Sequence, residues 1–352
     1  MTVIDIGDMT VFWSYEHSDL RGGIFIPDGK RILCIGSDTL SVLSFPGGEL
    51  LDRLELASFA PVKDYFTEFI TGFDQAGTSV YFLGTNSCIY NWKIGDRCIP
   101  VLKAKPQKKP SFRTEEYTIL SRDGFEVPVK RFIPLKAKQP AILFVHGGPF
   151  APIDPNDPFM LRLLAQGIEI CCAAYRGSSG YGKAHQEANR GEYGRGDVWD
   201  VIACGEDWKK RTGNKRPLIL TGCSYGGFIT FLALAGEEIP WDSGIALWTL
   251  SGLHRFEPHS QRSLPSDPKE RAVALIERSP IEQARRIRVP LLIFHGALDT
   301  AATIDELKLI QQRVNAGEGT CELIIFEDDT HSLKRHRDEI FEKCLEFIQT
   351  FE

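Results

Sequence analysis

The sequence predicts an α/β protein: a mostly parallel, doubly wound sheet over residues 111–352, preceded by a short all-β region over residues 1–110. Three observations predict it. In the second part, short apolar β-rich runs alternate with longer charged or periodic stretches. In the first part, short β-like segments are punctuated by glycine with little helical periodicity. Two of those segments, finally, can be laid over each other. A chain of 352 residues, 43% hydrophobic and 25% charged, has the length and composition for two domains, one with a large core.

The internal repeat aligns Phe25, Gly29 and Gly36 with Phe73, Gly77 and Gly84, and after one deletion Phe45 meets Trp92. A strand–turn–strand unit recurring at about 48 residues is the pattern of a β-propeller blade. Two units, with the tail of a third before Asp19, cannot close a ring that needs at least about four blades. The region is therefore read as a truncated propeller, with a small β-sandwich as the alternative. Uncovered sheet edges invite pairing, so the region is read either as assembling with copies of itself into a homo-oligomer or as the residue of a longer ancestor. Residues 103–114, carrying Pro106, Pro110 and several lysines, read as the connection between domains.

Beyond the connection, apolar runs at 141–145, 168–174, 218–220, 245–250, 291–294 and 323–326 read as strands. Residues 197–210 and 305–314 read as helices between them. Over 338–351, Ile340, Phe341, Cys344, Leu345 and Ile348 fall at helical spacing and predict a closing amphipathic helix.

The most informative stretch is Gly222-Cys223-Ser224-Tyr225-Gly226, which follows an apolar strand and precedes a helical pattern ending at Gly236. Strand, Gly-x-Ser-x-Gly, helix is the context of a nucleophile elbow, the mark of the α/β-hydrolase fold. The turn is too tight for side chains two positions either side of the serine, hence Gly222 and Gly226. The backbone N–H of Tyr225, at a helix N-terminus, would face a developing oxyanion.

A serine needs a base to take its proton and an acid to orient that base. In this fold the order is Ser, then Asp or Glu, then His. His331 follows the strand at 323–326 through a short turn, whereas His336 sits in a charged run typical of a solvated surface. Asp299 lies just past the strand at 291–294, where active sites of open α/β sheets form. Its competitor, Asp305, reads as a carboxylate in the first turn of a helix. The expected triad is Ser224, Asp299 and His331.

These residues, with His146-Gly147-Gly148-Pro149, the run Tyr175-Arg176-Gly177-Ser178-Ser179-Gly180-Tyr181-Gly182 and His295-Gly296-Ala297-Leu298-Asp299, resemble the prolyl oligopeptidase family of serine peptidases. The similarity is greatest to its acylaminoacyl-peptidase and dipeptidyl-peptidase branches and spans about 115–352. It implies the same triad, a second oxyanion donor from the turn of His146 and Gly147 beside Tyr225, and no metal or organic cofactor.

Two departures from the family pattern bear on substrate. Members commonly carry an arginine two residues after the catalytic aspartate, gripping a substrate carbonyl; here that position is Ala301, followed by Ala302 and Thr303. Losing one charge-assisted hydrogen bond of this kind costs on the order of 1.5–3 kcal/mol. The second departure is the short N-terminal region, since a full propeller caps the site in the family. The expected function is a peptidase acting on short peptides through an acyl-enzyme. A small-molecule esterase or amidase on the same triad is the alternative, and a propeller-remnant binding or assembly protein with weak or no activity is a third reading.

Net charge of −6 argues against general affinity for nucleic acid or anionic membrane. No positively charged segment followed by an apolar run opens the chain, so no secretory signal is expected, and no apolar run approaches the ~18 residues of a membrane span. Nine scattered cysteines read as buried, reduced thiols and place the protein in the cytoplasm. Arg176 and Tyr181 read mainly as loop-fixing. Asp197 and Asp200 read as capping and packing, Cys223 as unreactive, and Trp248 and Phe256 as core. His254 and His259 are spaced too loosely for a metal pair.

Overall fold

The computed structural model describes residues 2–4, 11–14, 20–36, 39–55, 70–83, 88–103, 112–138, 140–256 and 264–352. The chain divides into two compact units, Met1–Lys108 and Lys109–Glu352.

In the first unit β1 (Thr2–Ile4) and β2 (Val11–Ser14) pair as a hairpin. β3 (Leu20–Phe25), β4 (Arg31–Gly36), β5 (Thr39–Ser44) and β6 (Leu50–Glu55) form one four-stranded antiparallel meander. β7 (Ile70–Phe73), β8 (Ser79–Leu83), β9 (Cys88–Lys93) and β10 (Cys98–Lys103) form another. The sequence repeat corresponds to one unit per meander. Phe25 and Phe73 end the first strands, and Gly29 (φ 66°) and Gly77 (φ 63°) supply the left-handed residue of the turns that follow. Gly84 and most of the connection, 104–111, lie outside the described residues. Leu33, Ile35, Leu40 and Val42 share a core with Val80, Phe82, Tyr90 and Trp92 of the second meander.

The second unit is built on an eight-stranded sheet. Its strands are β11 (Phe112–Leu120), β12 (Glu126–Pro134), β13 (Ala141–Val145), β14 (Glu169–Ala173), β15 (Leu218–Cys223), β16 (Ser243–Leu247), β17 (Leu291–Gly296) and β18 (Cys321–Phe326). Their order is β11-β12-β14-β13-β15-β16-β17-β18. The last six in this order run parallel, and β11 and β12 form an antiparallel edge joined to β14. That edge adds two strands to the six read from the apolar runs.

Every residue of β13, β14 and β16 is buried, as parallel strands covered on both faces must be. Alternation along β13 sends Ala141, Leu143 and Val145 to one core and Ile142 and Phe144 to the other. The first core is roofed by α3 (Gly196–Arg211), α4 (Tyr225–Leu234) and α7 (Ile304–Asn315); the second by α1 (Pro158–Ala165) and α8 (Arg337–Gln349). The remaining helices α2 (Lys183–Glu187), α5 (Pro268–Glu277) and α6 (Pro280–Gln283) lie between strands in the chain. Local chemistry sets the helix starts. Asp157 and Asp267 accept backbone N–H groups at the heads of α1 and α5, and Thr303 with Glu306 forms a reciprocal capping box at α7.

From β13 the chain crosses first to β14 on one side and then to β15 on the other. The strand order reverses there, which opens a crevice beyond the carboxyl ends of β13 and β15. Ser224 sits at that end of β15.

Candidate active site

Ser224 occupies the turn from β15 into α4 with φ 53°, a left-handed conformation that costs a non-glycine residue of order 1–3 kcal/mol. Crowding on both sides holds it there. A Cβ on Gly222 would sit 2.2 Å from the Gly226 carbonyl oxygen, and one on Gly226 would sit 2.1 Å from that of Val145. Both positions therefore accept only glycine. The Ser224 N–H donates to the Leu247 carbonyl, pinning the turn to β16 (2.9 Å).

The base arrives from the loop after β18. His331 Nε2 lies 2.9 Å from Ser224 Oγ, and Nδ1 lies 2.7 Å from Asp299 Oδ2. Nδ1–H donates to the carboxylate, which leaves Nε2 free to accept the serine proton. Asp299 is buried, and its second oxygen accepts the Ala301 N–H at 2.8 Å. Burial acts to raise its pKa, but the hydrogen bonds from His331 and the Ala301 N–H outweigh it and leave the carboxyl below its ordinary value. The imidazole is 39% exposed, so a substrate and a water can reach it.

The predicted oxyanion residues also border the nucleophile. Tyr225 opens α4, and a Cβ on Gly147 would come within 3.1 Å of Ser224 Cβ. His146 contributes differently. Its Nδ1–H donates to the Gly147 carbonyl (2.7 Å), and its Nε2 accepts from Ser178 Oγ (2.8 Å). Burial pushes its pKa down to about 4, so the ring is neutral and braces the turn. Tyr175 Oη donates to the His146 carbonyl at 3.0 Å and the two rings stack, centroids 4.5 Å apart.

Two side chains of the site have no role assigned to them from sequence. Asp329 is buried, and its two oxygens accept the Thr330 and Arg335 N–H groups, each at 2.9 Å, which shapes the loop carrying His331. His295 is fully buried at the end of β17. Its Nε2 donates to the Ala302 carbonyl (3.2 Å) and lies 3.7 Å from Asp299 Oδ2, and burial lowers its pKa. The sequence signal for both was weak: an acid in a turn and a histidine inside a strand run.

Arg176 forks onto Asp200 and Asp123, with Nη2 2.7 Å from Asp200 Oδ1 and Nη1 2.7 Å from Asp123 Oδ2. The hydrogen bond from Arg176 draws the Asp123 carboxyl down to about 2. Arg176 is thus a buried brace, while Tyr181 is partly exposed against His185. Asp197 accepts the Val198 N–H and, beyond any local cap, the hydroxyl of Tyr225. Burial pushes the Cys223 thiol up to about 12, where it is protonated and inert. Trp248 belongs to the core, with the Arg337 guanidinium 4.4 Å over its ring. His254 pairs with Glu306 (2.8 Å), His336 with Asp328 (2.7 Å), and Asp305 lies in the first turn of α7. The Phe256 side chain and His259 lie outside the described residues. Among the described residues no group of three or more His, Cys, Asp or Glu could hold a metal ion.

The model of the prolyl oligopeptidase family matches residues 157–351. An uncharacterized peptidase of Bacillus subtilis, YuxL, is 25% identical over 325 residues, covering 78% of this chain and 49% of its own. Dipeptidyl aminopeptidase BIII of Pseudoxanthomonas mexicana is 29% identical over 216 residues, 56% of this chain and 31% of its own. Among solved structures, a puromycin-hydrolyzing peptidase of Mycobacterium tuberculosis superposes with a TM-score of 0.69 at 22% identity, covering 94% of this chain and 53% of that one. The chain thus spans about half the length, or less, of the curated relatives it matches.

Proposed function

The chain belongs to the prolyl oligopeptidase family, and from that premise we propose that it is a serine peptidase cleaving short peptides through an acyl-enzyme. The observation that carries the reading is the continuous relay of Asp299 Oδ2, His331 and Ser224 Oγ, with links of 2.7 and 2.9 Å. Both are within proton-transfer reach.

In the first step Ser224 Oγ bonds to the substrate carbonyl carbon as its proton passes to His331 Nε2. Asp299 stabilises the imidazolium that forms, and the carbonyl oxygen takes the negative charge. The Tyr225 N–H, at the positive end of α4, and the Gly147 turn face that oxyanion. Collapse breaks the carbon–nitrogen bond, with His331 delivering its proton to the leaving amine. Water then repeats the sequence on the acyl-enzyme and regenerates Ser224.

Residues 1–110 serve in this reading as a truncated propeller-like region and 111–352 as the catalytic domain. Edge strands support self-association of the first region: β6 exposes Leu50 and Leu51, and β10 exposes Ile99 and Val101. Free thiols among the described cysteines support residence in the reducing cytoplasm. No helix among the described residues is long and apolar enough to cross a membrane.

One observation favours a second reading. Ala301 offers only its backbone N–H, already given to Asp299, so nothing at this position grips a peptide carbonyl. Esters and small amides need such a grip less than peptides do. A panel of aminoacyl and N-acyl-aminoacyl p-nitroanilides against p-nitrophenyl esters separates the two. The peptidase reading expects anilide turnover; ester turnover alone replaces it with an esterase.

A further inference from the structure

Behind the elbow, the Tyr225 ring packs among Tyr175, Tyr193 and Phe228, with centroids 6.2, 5.1 and 5.5 Å away. Its hydroxyl donates to Asp197 Oδ2, from the first turn of α3. We infer that Asp197 is a positioning residue for the reaction, one that fixes through the Tyr225 hydroxyl the direction in which the Tyr225 backbone N–H meets the oxyanion. The inference rests on the serine-hydrolase reading above.

Three features carry it. Ser224 is held in a left-handed conformation, so the peptide plane that follows must be locked from elsewhere, and Tyr225 is the first residue able to do so. Its side chain joins the N-terminus of α4 to that of α3, a link that capping α3 does not require. Asp197 already meets its local needs through the N–H groups of Val198 (2.8 Å) and Gly194 (3.3 Å).

The second feature is cost. Asp197 is fully buried with no cation paired to it among the described residues, and burial pushes its carboxyl up to about 6. A neutral asparagine could accept the same Gly194 and Val198 N–H groups without that penalty. The neighbouring Asp200 cannot substitute, because its oxygens are taken by Arg176.

The third is the opposite wall. Tyr175 Oη holds the His146 carbonyl at 3.0 Å, so both sides of the proposed oxyanion site lean on one buried aromatic layer. Asp197 anchors that layer from beneath.

The test measures the second-order rate of labelling by a fluorophosphonate, whose phosphoryl oxygen takes the oxyanion's place, in wild type, Tyr225→Phe, Asp197→Ala and the double variant. Tyr225→Phe keeps the backbone N–H, so any loss reflects its aim. Each single change is expected to slow labelling on the order of tenfold. The double variant should be no slower than the slower single, because both cut the same link. If Asp197→Ala does not fold, Asp197→Asn completes the cycle. Single variants that fold and label at the wild-type rate overturn the inference, as do losses that multiply in the double. A wild type that does not label overturns the hydrolase reading itself, and this inference with it.

Discussion

His331 reaches Ser224 across 107 residues of chain, and Asp299 bonds the far nitrogen of the same ring. The spacing matters because neither contact is local. β15, β17 and β18 each deliver one member at the same end of the sheet, so the parallel order of those strands makes the relay possible.

Replacing Asp299 by asparagine keeps the shape but removes the charge and lets the ring take the wrong tautomer. A loss of about 10⁴ in kcat, with little change in KM, is expected by analogy with the Ser-His-Asp template. Steady-state kinetics on whichever chromogenic substrate is turned over checks it, and near-full activity would remove Asp299 from the mechanism.

Gly226→Ala places a methyl group 2.1 Å from the Val145 carbonyl oxygen. Backbone cannot yield as a flexible side chain can, so the variant should be destabilised by several kcal/mol or fail to accumulate folded. Denaturant melts of any soluble fraction measure this; wild-type stability would mean the elbow is looser than described.

The buried carboxyl of Asp197 makes a prediction with a definite sign. Its folded pKa, about 6, stands above the ordinary carboxylate value, so the folded state binds this proton more tightly than the unfolded chain does. Its ionisation therefore costs stability, which falls as pH rises from about 4 to about 6, by ~3 kcal/mol at most. Unfolding free energies of wild type and Asp197→Asn, measured across that window, should diverge with rising pH, the wild type losing more. Parallel curves would show that Asp197 does not titrate there.

Arg176→Met leaves Asp200, fully buried, without its cation. Breaking a buried pair in this way costs about 3–5 kcal/mol. A melting-temperature drop of many degrees is expected, and a drop of only a degree or two would mean that water or another donor replaces the guanidinium.

What could be read in the sequence was whatever is local or ordered along the chain. The elbow was legible because Gly222, Ser224 and Gly226 are adjacent and sterically forced, and the triad because strand ends announce Asp299 and His331 in a set order. β11 and β12 were not. They form a partly covered antiparallel edge in which Glu115, Glu116, Lys130 and Arg131 interrupt the apolar run, and all four pair across strands: Arg131 with Glu115, and Lys130 with Glu116. From sequence Asp197 reads as a cap, because a carboxylate at a helix head looks the same whether or not a tyrosine 28 residues away donates to it. Asp329 was hidden similarly, its partners being backbone groups of its own loop.

The most direct test of the account is where a fluorophosphonate lands. Peptide mass spectrometry of the labelled protein should find the adduct on Ser224, with Ser224→Ala unlabelled and folded. An adduct on another residue, or equal labelling of Ser224→Ala, would contradict the assignment of the nucleophile on which every step above depends.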